Sequence, residues 1–518
     1  MPLQNPLKIL MVSSEAVPFA KSGGLADMVG SLTKHLSGLG HDVKLLLPCY
    51  KGIEYEKKET IHLTVNVGFH SADITCSTTT LPGSEASVYL IEHPFFTDRE
   101  GIYGNHDEEF FADNAKRFAL LSRTVFSLVR ALDWQPDIIH SHDWPTALVP
   151  IYLRTLEKDL GDRGTISLFT IHNIGYQGIF SLHDLHYTRL RVKDMCPKDE
   201  EHIDQLNLLR GGIRCADYVN TVSPQYAREI RTPRFGHGLE KELEERREDL
   251  FGILNGIDTE IWNPETDPLL PLKFSRNSLE KKQQVKNALQ KRAGLPLNSD
   301  VPLIGMVSRL VEQKGFLELC GPEETSLQQI LAEMKCQFII LGTGEQWCEE
   351  ALRALDAKFA NLYVNTGFDE ELAHLIEGGS DFFLMPSRYE PCGLNQMYSL
   401  RYGTIPIVRR TGGLADTVIG QTENPSAENG LLFNDMSGEA IRSAIAEALR
   451  IYREEPERIQ RMRTNGMAGD FSWDHSAQRY VELYRYGLRR RHIPDCDRPL
   501  NTETRSSFPD GESGVQSP

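Results

Sequence analysis

Residues 7–32 read LKILMVSSEAVPFAKSGGLADMVGSL. A short apolar run leads into a turn with two adjacent glycines, and then into a stretch whose apolar residues recur at helical spacing. This is the pattern of a buried strand feeding a helix through a tight loop. Adjacent glycines cost chain entropy and pack nothing, so Gly23 and Gly24 ask for a use. Backbone amides at a strand-to-helix turn are able to cradle a phosphate, and Lys21 would add a positive charge. The loop is neither a G-x-G-x-x-G fingerprint nor a P-loop. From spacing alone, a plain turn with a surface lysine reads equally well.

The same unit recurs outward from this stretch. DVKLLLP, SVYLIE, DIIHSH, ISLFTIH and DYVNTVS read as further buried strands, several separated by amphipathic stretches such as DEEFFADNAKRFALLSRTVFSLVRAL. A second series begins near residue 302 with VPLIGMVSRL, CQFIILGTG, NLYVNTG, DFFLMPS, GTIPIVRRTGG and GLLFND. A βα succession predicts mostly parallel, doubly wound sheets, so the fold class is α/β with two Rossmann-like domains. A polar, charged region at roughly 263–300 separates the two series, which places a linker near residue 260. From about 492 the chain is rich in Pro, Ser and Asp and reads as a disordered tail. Ligands of such sheets bind beyond the carboxyl ends of the strands, so two of them create a natural cleft.

Bulk properties narrow the classes of function. The chain has 518 residues, ample for two large cores, and a formal net charge of −17, which argues against nucleic acid and anionic lipid as partners. Nine scattered cysteines with no C-x-x-C pair fit reduced thiols. No signal peptide and no run of about twenty apolar residues is evident, so a cytoplasmic protein without a membrane span is expected.

Five motifs carry candidate chemistry. In HSHDWPTALVP, residues 140–150, His140 and His142 share one strand face, but nothing in the sequence completes a metal site. Asp143 and Trp144 follow at the strand end, as a sugar-binding pair or as a helix cap. FTIHNIGYQG, residues 169–178, sets His172 at another strand end before a tight turn. In MVSRLVEQKGF, residues 306–316, Arg309 and Lys314 flank a turn where two cations suit a diphosphate or serve as salt-bridge partners. PSRYEPCGLNQ places Glu390 before a Pro-Cys-Gly turn, and Cys392 has no evident base to make it a nucleophile. TGGLAD at 411–416 mirrors GGLAD at 23–27, so each domain is expected to offer a Gly-Gly turn to the cleft.

Taken in order, KSGGLADMVGSL, HDWPTALVP, IHNIGYQG, LNGIDTEIWNP, SRLVEQKG, RYEPCGLNQMYSLRYGT and RRTGGLADTV resemble the bacterial glycogen synthase and plastid starch synthase family, from about residue 7 to about 486. The resemblance implies a GT-B architecture. Residues 1–260 would be the N-terminal, acceptor-side domain and 261–490 the nucleotide-sugar-binding domain, its last helix returning to the first; 491–518 would be the disordered tail. It implies retaining transfer of glucose from ADP-glucose to the non-reducing end of an α-1,4-glucan, with no metal and no cofactor. Lys21 and Gly24 match the loop near the donor phosphates, and Arg309 and Lys314 the diphosphate pair. Glu390 matches the carboxylate at the donor glucose, with His172 and Asp143 as cleft residues at the glucosyl unit. Asn255 is similar to a cleft asparagine, Phe368 takes the place of an aromatic against the nucleobase, and Thr411, Gly412 and Gly413 match the second glycine turn. Many related enzymes carry a second glutamate where this chain has Tyr398, which leaves the ribose contact unassigned. A relative using UDP-glucose or another acceptor, or a non-catalytic glucan-binding protein, stays open, as does the oligomeric state.

Overall fold

A computed structural model describes residues 5–105, 108, 110–195, 205–322 and 325–490. The segment read as a disordered tail lies outside the described residues. The N-terminal half builds a nine-stranded sheet from β1 (Lys8–Val12), β2 (Asp42–Pro48), β3 (Thr60–Val67), β4 (His70–Thr80), β5 (Ser87–Glu92), β6 (Ile138–His142), β7 (Ile166–Ile171), β10 (Tyr218–Thr221) and β11 (Leu250–Gly252). Between β7 and β10 a small ribbon pairs β8 (Ile179–Ser181) with β9 (Gln205–Asn207). The order across the large sheet is β11-β10-β7-β6-β1-β2-β5-β4-β3. All neighbours are parallel except the hairpin β3–β4 and its pairing with β5.

The C-terminal half is wholly parallel: β12 (Leu303–Val307), β13 (Gln337–Leu341), β14 (Leu362–Asn365), β15 (Phe382–Met385), β16 (Ile405–Arg409) and β17 (Leu431–Phe433), in the order β14-β13-β12-β15-β16-β17. The central parallel strands are near-continuous apolar runs because helices cover both faces of each sheet, leaving most of their side chains in a core. In each sheet the strand order reverses at one strand. β1 lies between β2 and β6, and β12 between β13 and β15. Loops leaving those two strands flank the crevices where doubly wound sheets bind ligands. They are the loop carrying Lys21 and the loop carrying Arg309 and Lys314.

The polar region at 263–300 is more than a connection. Its helix Lys282–Arg292 packs on the helix Glu370–Gly379 and belongs to the second domain. Lys282 is buried, and its ammonium donates to the carbonyls of Gly378 (2.7 Å) and Tyr402 (3.1 Å) and to Thr404 Oγ1 (2.6 Å). One cation thus caps two helix C-termini, where unpaired carbonyls gather.

The chain crosses between the domains twice. The crossings touch where the Ile257 amide donates to the Phe471 carbonyl at 2.8 Å, and a Cβ on Gly256 would lie 2.6 Å from the Trp473 backbone. The final helix, Trp473–Arg490, then packs into the N-terminal core through Trp473, Tyr480 and Tyr484. Among the described residues no helix is long and apolar enough to cross a membrane.

Candidate active site

In the second domain, two loops are zipped together at the carboxyl end of the sheet. The Arg388 amide donates to the Gln313 carbonyl at 2.9 Å, and Gln313 Nε2 to the Tyr389 carbonyl at 3.3 Å. Gly315, at φ 85°, lets the first loop run against the second, since a Cβ there would sit 2.1 Å from the Pro386 oxygen. This clamping brings Lys314 Nζ to 2.6 Å from Glu390 Oε2, which also accepts the Ser387 hydroxyl at 2.9 Å. Glu390 is buried and Lys314 half-buried, so the pair is a fixed, largely desolvated charge couple. Arg309 is exposed and, among the described residues, makes long hydrogen bonds to the Tyr176 hydroxyl and to Gln313 Oε1, both 3.4 Å. Its guanidinium is the more available of the two cations.

Across the cleft, Asp143 follows β6 with φ 54°, a left-handed conformation that aims its carboxylate back at β7. Oδ1 accepts the His172 amide at 2.7 Å, and the Asn173 amide also donates to the carboxylate. Burial nevertheless outweighs these bonds and pushes the carboxyl up to about 7. His172 Nε2 stands 3.1 Å from His142 Nδ1. Burial holds the His172 imidazole down at about 3, so it is a neutral hydrogen-bonding group at physiological pH. The fold therefore brings to the HSH strand the third histidine that its sequence lacked, as a tilted ring hydrogen-bonded to His142. Among the described residues no cluster of three or more His, Cys, Asp or Glu side chains is arranged to hold a metal ion.

The remaining candidates divide. Asn255 is buried, and its Oδ1 has no protein partner among the described residues, leaving an acceptor for a ligand hydroxyl. Phe368 is 93 % exposed and makes no platform against another ring. Lys21 pairs with Asp27 at 2.8 Å, and no described contact links it to Arg309 or Lys314. Beside Gly24 the space is open, with nothing within 4 Å of a notional Cβ.

One expectation needs correction. The turn Thr411-Gly412-Gly413 does not face the cleft. All three residues are buried, and Cβ atoms on Gly412 and Gly413 would lie 1.9 Å from the Glu390 oxygen and 2.0 Å from the Cys392 oxygen. The Gly412 amide, at 3.0 Å, and the Thr411 hydroxyl, at 2.9 Å, both donate to the Glu229 carboxylate from the first domain. This turn supports the Glu390 loop from behind instead of offering amides to a ligand. Tyr398 is half-buried and stacked on Trp262 with ring centroids 3.9 Å apart, so this position holds a packed aromatic instead of a carboxylate. Cys392 is buried, and burial pushes its thiol up to about 12, in keeping with a packing role.

Sequence reasoning missed Glu15 and Tyr103. Glu15 is buried at the end of β1 and accepts the Ser22 amide, the Ser22 hydroxyl (2.8 Å) and the Tyr103 hydroxyl (2.6 Å). A carboxylate just after a switch-point strand was the available signal. Its partner Tyr103 is 88 residues away, and nothing local announces it. Also unforeseen is a cavity of about 370 Å³ at the turn that follows His172, lined by Phe110, Trp144, Tyr176, Gly178, Ile179 and His237.

Two facing Rossmann-like domains with charged and polar groups gathered at both switch points define a glycosyltransferase of the GT-B class. A model of the starch synthase catalytic domain matches residues 8–245, and one of group 1 glycosyl transferases matches 288–466. Glycogen synthases from Treponema denticola and Geotalea daltonii are each 43 % identical, over 94 % of this chain and 99 % and 100 % of theirs. The catalytic domain of starch synthase IV from Arabidopsis thaliana, solved bound to ADP and acarbose, superposes with a TM-score of 0.83 at 34 % identity, covering 94 % of this chain and all of that one. A sucrose-phosphate synthase from Thermosynechococcus elongatus, at TM-score 0.57 and 18 % identity, shares the fold. The chain belongs to the glycogen and starch synthase family of glucosyltransferases.

Proposed function

We propose that the protein transfers glucose from ADP-glucose to the non-reducing end of an α-1,4-glucan, with retention and without a metal or cofactor. The observation that carries this reading is the Lys314–Glu390 pair at the switch point of the second sheet, opposite His172 and Asp143. A nucleoside diphosphate leaving group develops negative charge on its phosphate oxygens, and fixed cations lower that barrier. Lys314 and Arg309 supply two such charges, with Lys21 approaching from the first domain. Each removed donor should cost about 3–4 kcal/mol in the transition state. Glu390 is held by Lys314 and Ser387, which suits it to receive sugar hydroxyls and to stabilise a cationic glucosyl centre.

Retention is read as same-face attack. Glu390 Oε2 is held by Lys314 and Ser387 and Asp143 accepts backbone amides, so neither carboxylate is read as the nucleophile. The departing phosphate then takes the acceptor's proton. The glucan end is placed in the aromatic-lined cavity at the turn that follows His172, since ring faces suit the apolar faces of pyranoses. Phe368 and Lys21 would complete donor binding at the base and the phosphates. The reading extends to cytoplasmic glycogen synthesis. The test is incorporation of label from ADP-[14C]glucose and UDP-[14C]glucose into glycogen. Faster incorporation from ADP-glucose is expected; a preference for UDP-glucose, or binding of glycogen without nucleotide release, contradicts it.

A further inference from the structure

Tyr389 belongs to the second domain by sequence, yet its ring packs on the core of the first. It meets the His237 ring edge-on, with centroids 5.5 Å apart. Its hydroxyl lies beside the Asn173–Gly175 turn, and it is the nearest atom to a notional Cβ on Gly175, with Asn173 Oδ1 next. That turn is closed by the Gly175 amide, which donates to Asn173 Oδ1 at 3.0 Å. The seat is close-fitting: a Cβ on Gly175 would lie 2.9 Å from the Tyr389 hydroxyl oxygen. The receiving loop is itself anchored, because the Ile174 amide donates to the Tyr226 hydroxyl at 3.2 Å.

The positions of these residues give the contact its meaning. Asn173 directly follows His172, and Tyr389 directly precedes Glu390. Adjacent Cα atoms are about 3.8 Å apart, so packing of Tyr389 on the 173–175 turn limits the separation of residues 172 and 390. Those two side chains stand on opposite domains and flank the place proposed for the glucosyl unit. A second bridge between the domains runs beside it, from Arg309 to the Tyr176 hydroxyl at 3.4 Å. We propose that Tyr389 is a positioning residue: its hydroxyl, seated between Asn173 and Gly175, sets the two halves of the site at reacting distance and seals the cleft against water. This rests on the transferase reading above.

In the absence of that hydroxyl the domains still meet, but their register is looser. Glucosyl transfer then slows, and water competes better for the glucosyl centre. Tyr389→Phe removes the hydroxyl and keeps the ring. The expected result is a kcat about three- to tenfold lower, the size of one lost polar contact, with the donor KM changed less than about twofold. The ratio of donor hydrolysis to transfer should rise, and the melting temperature should stay with that of wild type. Gly175→Ala adds the independent arm. It should impair wild type more than it impairs Tyr389→Phe, because the methyl's closest contact is the hydroxyl, at 2.9 Å, while its 3.1 Å approach to Asn173 Oδ1 is common to both backgrounds.

Unchanged kcat and hydrolysis ratio in Tyr389→Phe overturn the proposal. So does a kcat loss matched by loss of folded protein, or an equal cost of Gly175→Ala in both backgrounds. Wild type is assayed first with both labelled donors and glycogen; failure to transfer from either overturns the functional reading and this inference with it, whereas the outcomes above bear on Tyr389 alone.

Discussion

At the scale of single residues, Asp143 and His172 show how one cleft wall sets two opposite protonation states. Both are desolvated, which favours the uncharged form of each. The carboxyl rises to about 7 and the imidazole falls to about 3. Their contributions to stability therefore run in opposite directions. Unfolding returns Asp143 to its ordinary low value, so its contribution is full below about 4 and is lost as pH rises through 7. His172 must take up a proton on unfolding below its ordinary 6.5, so its contribution is lost as pH falls from there toward 3. Asp143→Asn abolishes only the first dependence. In urea unfolding at pH 5 to 8, wild type should be most stable relative to this variant at pH 5, with the difference shrinking toward pH 8. A difference that grows with pH contradicts the assignment. Lys314 and Glu390 were legible in the sequence as charges at strand ends. Their pairing was not, because it joins loops 76 residues apart. Glu15 was missed for the same reason: its burial depends on a tyrosine that only the fold delivers.

At the scale of elements, the two glycine turns look alike in sequence and differ in space. The first has open space beside its glycines; the second is crushed against the backbone of the Glu390 loop. Spacing could not separate them, because what differs is the neighbour each turn meets. Gly412 sits at φ 44° with no room for a side chain. Gly412→Ala should destabilise the protein by about 2–4 kcal/mol, read by urea unfolding, and lower kcat by displacing Glu390. A variant with wild-type stability and activity would show that the turn is not a support. Strands in both parallel series were legible because buried strands are continuous apolar runs. The hairpin β3–β4 escaped notice because it alternates instead, one face buried and one exposed, through TIHLTVNV and its partner. The 263–300 segment read as a connection because its lysines look solvated, although Lys282 and Lys286 are buried on carbonyls.

At the scale of the whole molecule, the two domains are tied by more than their crossings. The last helix completes the first domain's core, where the Tyr484 hydroxyl and His140 Nδ1 lie 2.8 Å apart and Asn220 donates to the Tyr480 hydroxyl at 3.0 Å. His140 sits on the strand that carries His142 into the cleft, so the chain's end supports the site. A chain ending at residue 472 should melt about 10 °C or more below the full chain, because it exposes apolar core and strands both polar groups. Equal melting temperatures would contradict this. Glu229 on the Gly412 turn and Tyr389 on the Asn173 loop bridge the domains behind and in front of Glu390. The central claim is that the cleft between them acts as one catalytic unit through the Lys314–Glu390 pair. The most direct measurement is label transfer from ADP-[14C]glucose to glycogen by wild type, Lys314→Ala and Glu390→Ala, with thermal unfolding of each. The account predicts a kcat lowered at least a few hundredfold in both variants with melting temperatures close to wild type; near-wild-type turnover in either would contradict it.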